Sequence, residues 1–270
     1  MLRPTSFVTF FAIALVIPTA SAVAQLSQLD QIQVAPPMRQ VAAPSPTASV
    51  DELEKQGDEL RSEKAYLDAI DYFHAALGKA PFSASIQNKL GICELLLQHY
   101  RDAGKSFEQA IKKDPQFSEA YNNLGVVEYE RRKYRGAVKD YKKAITIAPS
   151  SPSAYSNLGA AYFAQKKFEL ASEMYMQALK LDPLIFERTS RAGIAAQMAS
   201  PQDRAHYSYV LAKLYAKMGD SDHSLEYLRK AMEEGYKGVK DVYSDPEFAT
   251  LRKDARFAEL MKEKPPALPE

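Results

Sequence analysis

The chain has almost no means of covalent bracing. It holds one cysteine, Cys93, in 270 residues. A lone thiol closes no intramolecular disulfide, so a disulfide scaffold is excluded and stability must come from a packed core. Cys93 reads as a small apolar filler on a helix. Tryptophan is absent, and only 11 residues are glycine. Neither sign of charge is in surplus: 35 Lys and Arg stand against 34 Asp and Glu. That balance lacks the basic excess with which nucleic-acid binders displace counterions, so no nucleic-acid partner is expected. The four histidines, His74, His99, His206 and His223, include no two at metal-ligand spacing, so neither a metal nor a cofactor is expected. No serine carries the glycines of a nucleophile elbow. Asp102-Ala103-Gly104-Lys105-Ser106 imitates the end of a phosphate-binding loop, but His99 stands where the motif needs its first glycine. No catalytic residues are assigned, and the chain is read as a non-enzyme.

A long hydrophobic run is also missing. The longest, Phe7 to Ile17, has 11 residues, against about 20 needed to cross a bilayer. It follows Arg3 and precedes Pro18 and the small residues Ala22-Val23-Ala24, which is the order of a secretory signal. Residues 1–24 are therefore expected to be a signal peptide cut after Ala24, with a retained anchor as the alternative. Export makes the periplasm or the exterior the expected location, with no membrane span after cleavage. Residues 25–49, with Pro36, Pro37, Pro44 and Pro46, read as an extended linker rich in Pro and Gln.

What the chain does have is a period. Gly57, Gly91, Gly125 and Gly159 are 34 apart, as are Ala69, Ala103, Ala137 and Ala171. Ala76, Ala110, Ala144 and Ala178 keep the same spacing, as do Pro81, Pro115, Pro149 and Pro183. Two aromatic series share it: Tyr66, Tyr100, Tyr134 and Phe168, then Phe73, Phe107, Tyr141 and Tyr175. Small residues suit close approach between paired helices, aromatics suit the wider gaps, and proline ends the second helix. Ser49-Val50-Asp51-Glu52 has capping-box spacing, and Ser151-Pro152 sets a cap before a first-turn proline.

This pattern resembles the tetratricopeptide repeat family, in its bacterial exported form. The resemblance is fullest in Tyr155, Leu158, Gly159, Tyr162, Ala171, Tyr175, Ala178 and Pro183. It implies an all-α helix–turn–helix solenoid. Four regular repeats are placed at 50–83, 84–117, 118–151 and 152–185. After a 19-residue insertion, 186–204, a fifth, degenerate repeat fits at 205–238 through Leu211, Ala212, Tyr215, Gly219, Ser224, Leu228 and Ala231. Ser200-Pro201 starts its first helix early, leaving Phe186 to Ala199 as a loop, either folded over a groove or a plain spacer. Short capping helices are expected over 239–262, with Phe248, Leu251, Phe257 and Leu260 inward, and a loose tail over 263–270.

The family implies binding of another protein's extended segment on the concave face made by the first helices. Repeat positions 2, 5, 9, 12 and 13 share that face. With position 6 added, the candidate groove is Asn88, Ile92, Leu95, Asn122, Asn123, Val126, Tyr129, Asn157, Ala160, Phe163, Lys213 and Lys217. Asp51, Glu54 and Asp58 make one end acidic, and His206, Lys213 and Lys217 make the other basic. Asn123 and Asn157 either hydrogen-bond a peptide backbone or satisfy neighbouring helix ends. Ile92, Val126, Tyr129 and Phe163 are either open or packed beneath the insertion or linker. Asn88 and Ile92 stand where the family's carboxylate clamp carries Lys and Asn, so the chain departs from that clamp. The expected role is a non-catalytic scaffold in the cell envelope. The alternatives are a self-associating protein whose groove takes its own linker or insertion, making a homo-oligomer, and an accessory domain of an envelope enzyme complex.

Overall fold

The computed structural model describes residues 41–189 and 200–263. Among these no strand occurs, and the helices come in pairs. The first helices are α1 (Val50–Ser62), α3 (Ala84–Leu96), α5 (Ser118–Glu130) and α7 (Pro152–Ala164). Their second helices are α2 (Tyr66–Lys79), α4 (Tyr100–Lys113), α6 (Tyr134–Ile147) and α8 (Phe168–Leu181). Both series keep the 34-residue period without slippage. A short helix α9 (Ile185–Thr189) follows, then α10 (Pro201–Met218) and α11 (Ser221–Glu233) as a fifth pair. Three 3₁₀ turns (Val239–Tyr243, Pro246–Phe248 and Leu251–Lys253) and α12 (Ala255–Glu263) close the array.

Local chemistry sets the helix ends. Ser49 and Glu52 form a full capping box: Glu52 N–H donates to Ser49 Oγ at 3.3 Å, and Ser49 N–H donates to Glu52 Oε2 at 2.8 Å. Ser151 Oγ and Ser200 Oγ accept from the N–H groups of Ala154 and Asp203 ahead of Pro152 and Pro201. Each second helix of the four regular repeats ends two residues before its proline, because the residue preceding a proline is pushed out of helical geometry. The turn inside each repeat is made at one position. Lys64, Gln98, Arg132 and Lys166 all have φ of 60–64°, and Gly219 takes that place in the fifth repeat with φ 81°. The next residue's N–H then reaches back to the first helix, as His99 does to Glu94 O at 2.8 Å, closing the helix end.

Each repeat glycine faces the ring of its own second helix. A Cβ on Gly57 or Gly91 would lie 2.7 Å from the ring of Phe73 or Phe107. On Gly125 or Gly159 it would lie 2.6 or 2.5 Å from Tyr141 or Tyr175. The glycine thus makes room for an aromatic ring, where the sequence pattern suggested room chiefly for a neighbouring backbone. All four rings are at most 1% exposed, and burying one contributes about 1.5–3 kcal/mol. Ala69, Ala103, Ala137 and Ala171 are fully buried beside them.

The insertion begins differently from expectation. Phe186 lies in α9 rather than in a loop, and only 2% of it is exposed. Its ring meets Tyr175 edge-on at 5.4 Å and Tyr207 at 6.4 Å, so it joins the fourth repeat to the fifth. Residues 190–199 of the expected loop lie outside the described residues. In the fifth repeat Ser224 replaces alanine, and its hydroxyl is satisfied by donating to Ala212 O at 2.8 Å. Phe248, Leu251, Phe257 and Leu260 are all buried, so the terminal turns cap the array.

Part of the expected linker is packed. Residues 41–49 run along α2: Tyr72 Oη donates to Ala42 O at 3.3 Å, and Lys79 Nζ donates to Pro46 O and Ala48 O. Residues 1–40 and 264–270, with the signal, most of the linker and the tail, lie outside the described residues.

Candidate functional site

The inner face is built from α1, α3, α5, α7 and α10, and its main feature is a ladder of polar side chains. The residue at position 6 of one repeat reaches back to position 5 of the repeat before. Lys89 Nζ meets Glu54 Oε1 at 2.7 Å and also pairs with Asp58. Asn123 Nδ2 donates to Asn88 Oδ1 at 3.0 Å, and Asn157 Nδ2 donates to Asn122 Oδ1 at 3.0 Å. Neither asparagine therefore caps a helix end. Burial works against the Lys89 charge, but the bonds to Asp58 and Glu54 outweigh it and hold its pKa above the ordinary lysine value. Lys89 is the member of this ladder that spacing alone overlooks. The signal was available as a recurring polar pair 35 residues apart.

Asn88, Ile92, Asn122 and Asn123 come together in one cleft of about 360 Å³, with Ser118, Glu119, Ser151 and Ser153 around them. Val126 and Tyr129 continue the face toward the fourth repeat, half-buried, with the Tyr129 ring 5.3 Å from Tyr134. Burial, then the nearby Tyr134, Glu130 and Asp203, push the Tyr129 hydroxyl well above its ordinary pKa, so it remains a donor. Leu95 is half-buried against Phe107 and its neighbours. A second cleft of about 500 Å³ lies at the amino end, lined by Asp51, Glu54, Asp58, Glu59 and Lys89.

Toward the carboxyl end the expected groove closes. Ala160 and Phe163 are 1% and 2% exposed, so they are core and not groove lining. Phe163 meets Phe168 of its own repeat at 5.0 Å and is covered by the fifth repeat, with His206 at 5.4 Å and Tyr207 at 6.0 Å. Asn88 is also largely buried, at 7% exposure, so its amide serves the ladder first. The expected basic end is neutralised. Lys213 Nζ pairs with Asp245 Oδ2 at 3.0 Å and Glu247 Oε2 at 3.5 Å, both from the cap. Burial lowers the His206 pKa, which keeps that ring uncharged at neutral pH. Only Lys217 stays exposed. The acidic end is answered in the same way, with Glu54 and Asp58 on Lys89 and Arg61 Nη2 3.0 Å from Asp58 Oδ1, so the expected charge gradient is met at both ends by ion pairs within the chain. Cys93 is fully buried, and burial pushes its thiol up to about 12, which leaves it inert. Among the described residues no group of His, Cys, Asp and Glu could hold a metal ion.

Known proteins show the same architecture. Sequence models of the tetratricopeptide repeat match residues 106–139, 152–183 and 205–234, and a model of the TPR repeat matches 126–166. The repeats over 106–183 and 205–234 are tetratricopeptide repeats. The match at 205–234 includes the degenerate fifth tetratricopeptide repeat beyond the insertion. A chloroplastic protein of Arabidopsis thaliana is 34% identical over 64 residues, which is 24% of this chain. The match spans about a fifth of that relative, 19% of its length. The solved MamA 41-end from Desulfovibrio magneticus RS-1 is 19% identical with a TM-score of 0.50, over 72% of this chain and 97% of that one. A thermophilic TPR protein of Thermus thermophilus is 21% identical with a TM-score of 0.49, over 79% of this chain and 100% of that one. At 19% identity the likeness to the Desulfovibrio magneticus protein is one of fold alone. Among the described residues no helix is long and apolar enough to cross a membrane.

Proposed function

We propose that this protein is a non-catalytic scaffold of the cell envelope that holds an extended segment of a partner protein along α3, α5 and α7. The observation that carries this reading is the pairing of Asn122, Asn123 and Asn157 with the half-buried Val126 and Tyr129 on one continuous face. An amide side chain offers two donors and one acceptor oxygen. Each ladder bond uses only part of that capacity, so the amides stand pre-oriented for a peptide backbone of any sequence. Val126 and Tyr129 supply apolar contact, and the exposed Asp51 in the amino-end cleft favours a basic residue at one end of the bound segment, Glu54 and Asp58 being held by Lys89. Phe163 and Ala160 take no part. The envelope location is supported by the signal-like order of residues 1–24.

The test is a photo-reactive residue placed at 126 or 129 in the full chain in its native cell, with a control at Glu173 on the outer face of α8. The reading expects one partner polypeptide captured from the groove positions and not from 173, in an exported fraction. Capture of equal intensity from 173 would remove the groove. An adduct of the chain with itself would favour self-association in its place.

A further inference from the structure

The outer face of the array is unevenly charged. On α6, Arg135, Lys139, Lys142 and Lys143 are all exposed and recur on one side of the helix. None of them pairs with a carboxylate among the described residues. The sole acid of α6, Asp140, is half-buried, and burial pushes its carboxyl up to about 6. On α4, in the repeat before, Arg101, Lys105 and Lys112 occupy the same face, with Asp102 on Lys105 at 3.0 Å and the exposed Glu108 at the repeat position of Lys142, so α4 adds less positive charge than α6. The matching turns of α8 carry Glu169, Glu173 and Gln177, so the basic face is confined to the second and third repeats. In a chain with a formal net charge of +1, the α6 face is thus a local excess of positive charge.

Apolar residues are also exposed at the loops that follow α2 and α8. Phe82, in the loop after α2, is 87% exposed. Leu184, 102 residues on and therefore at the same repeat position, is 48% exposed, and Leu181 beside it is 44% exposed. Arg101 and Lys105 of α4 border a cleft of about 780 Å³ that Asp102, Glu108 and Glu128 also line, whereas the four α6 cations are spread along the helix face, which fits an extended anionic surface better than a small anion. Exposed aromatic and aliphatic side chains at the rim add a second signal of the kind that surface anchoring on a bilayer requires. Base stacking is not provided for: the nearby Tyr121 and Tyr162 rings already lie beneath Lys143 and Lys142 at 5.8 Å.

We propose that the outer face of α4 and α6 binds anionic phospholipid headgroups, with Phe82 and Leu184 entering the interface, so that the groove on the opposite side stays open to a partner. The experiment is co-sedimentation of the full-length protein with vesicles of phosphatidylcholine alone or mixed with phosphatidylglycerol. The expected result is binding that needs phosphatidylglycerol and falls with salt. Reversal of the α6 cations (Arg135→Glu, Lys139→Glu, Lys142→Glu and Lys143→Glu) is expected to weaken it by at least about tenfold. Because all four side chains are exposed, circular dichroism should be unchanged. The milder Lys142→Gln with Lys143→Gln covers the case in which the reversal misfolds, and Phe82→Ser should weaken binding without altering its salt dependence. Equal binding to both vesicles, no loss in the charge variants, or preference for duplex DNA at the same salt would overturn the proposal. The capture experiment in the groove is independent of each of these outcomes.

Discussion

Asn157 reaches across the seam between two repeats and donates its Nδ2 to Asn122 Oδ1 at 3.0 Å. Asn123 does the same to Asn88 one repeat earlier, and Lys89 to Glu54 one earlier still. The inner face is thus held in register by a side-chain bond at each of the first three seams. The same bonds fix which way each amide points.

Removing one rung should loosen a seam without unfolding the array, because solenoid stability is a sum of repeat and interface contributions. Asn157→Ala is expected to lower stability by about 1 kcal/mol in urea unfolding. Asn122→Ala with Asn157→Ala should cost less than the two single changes added together. Strict additivity would show that the two amides do not interact.

Gly159 faces a fully buried ring. An added Cβ would sit 2.5 Å from Tyr175, nearer than real Cβ contacts allow, and 3.2 Å from Ala171 O. Gly159→Ala should therefore destabilise by about 1–3 kcal/mol or more through overpacking. Tyr175→Leu, which trims the ring, should recover part of that loss in the double variant. A Gly159→Ala protein as stable as the parent in thermal melting would contradict the packing described.

The 34-residue period was legible because it is written in the packing itself. A ring such as Tyr175 needs a glycine in the facing helix, and each repeat repeats that requirement at fixed spacing. Helix starts at Ser49, Ser151 and Ser200 were legible because capping is local. The placement of side chains on the inner face was legible only where repeat follows repeat. Asn122, Asn123, Val126 and Tyr129 lie where the helical period puts them. Phe163 does not, because the repeat that follows it comes after an insertion and lays His206 and Tyr207 over its ring. Its loss to alanine should now cost about 3–5 kcal/mol and report folding rather than binding. Lys213 misled for a similar reason: Asp245 and Glu247 belong to the cap, which carries no period to announce them.

The turn inside each repeat has a conformation that favours glycine, yet only the fifth repeat uses one. Gly219 has φ 81° and no atom within 4 Å of where its Cβ would be. Gly219→Ala should therefore cost about 1–2 kcal/mol through backbone conformation alone. The converse applies at Gln98, with φ 60°, where Gln98→Gly should relieve local strain and cost little or raise stability slightly. Opposite signs in parallel melts would support this; a loss from both changes of equal size would refute it.

His223 should make the junction between the fourth and fifth repeats sensitive to pH. Its Nδ1 lies 2.6 Å from Asp220 Oδ2 and its Nε2 lies 2.6 Å from Glu187 Oε1 of α9, while its ring stacks on Tyr215 at 4.9 Å. Burial disfavours the charged ring, but the bond and charge of Asp220, then Glu187, outweigh it and raise the His223 pKa above 6.5. The charged form is therefore favoured in the folded state. The stability it contributes is complete below pH 6.5 and is lost as pH rises through the higher folded value. Asp220 acts at the other limit. Burial opposes its charge, but His223 holds its carboxyl below the ordinary 3.8, so its contribution disappears only in strong acid. Melting temperatures of the parent and of His223→Gln should differ most between these limits and converge above neutrality. A difference that stayed constant from mildly acid to mildly alkaline pH would mean that His223 acts by packing on Tyr215 and not by charge.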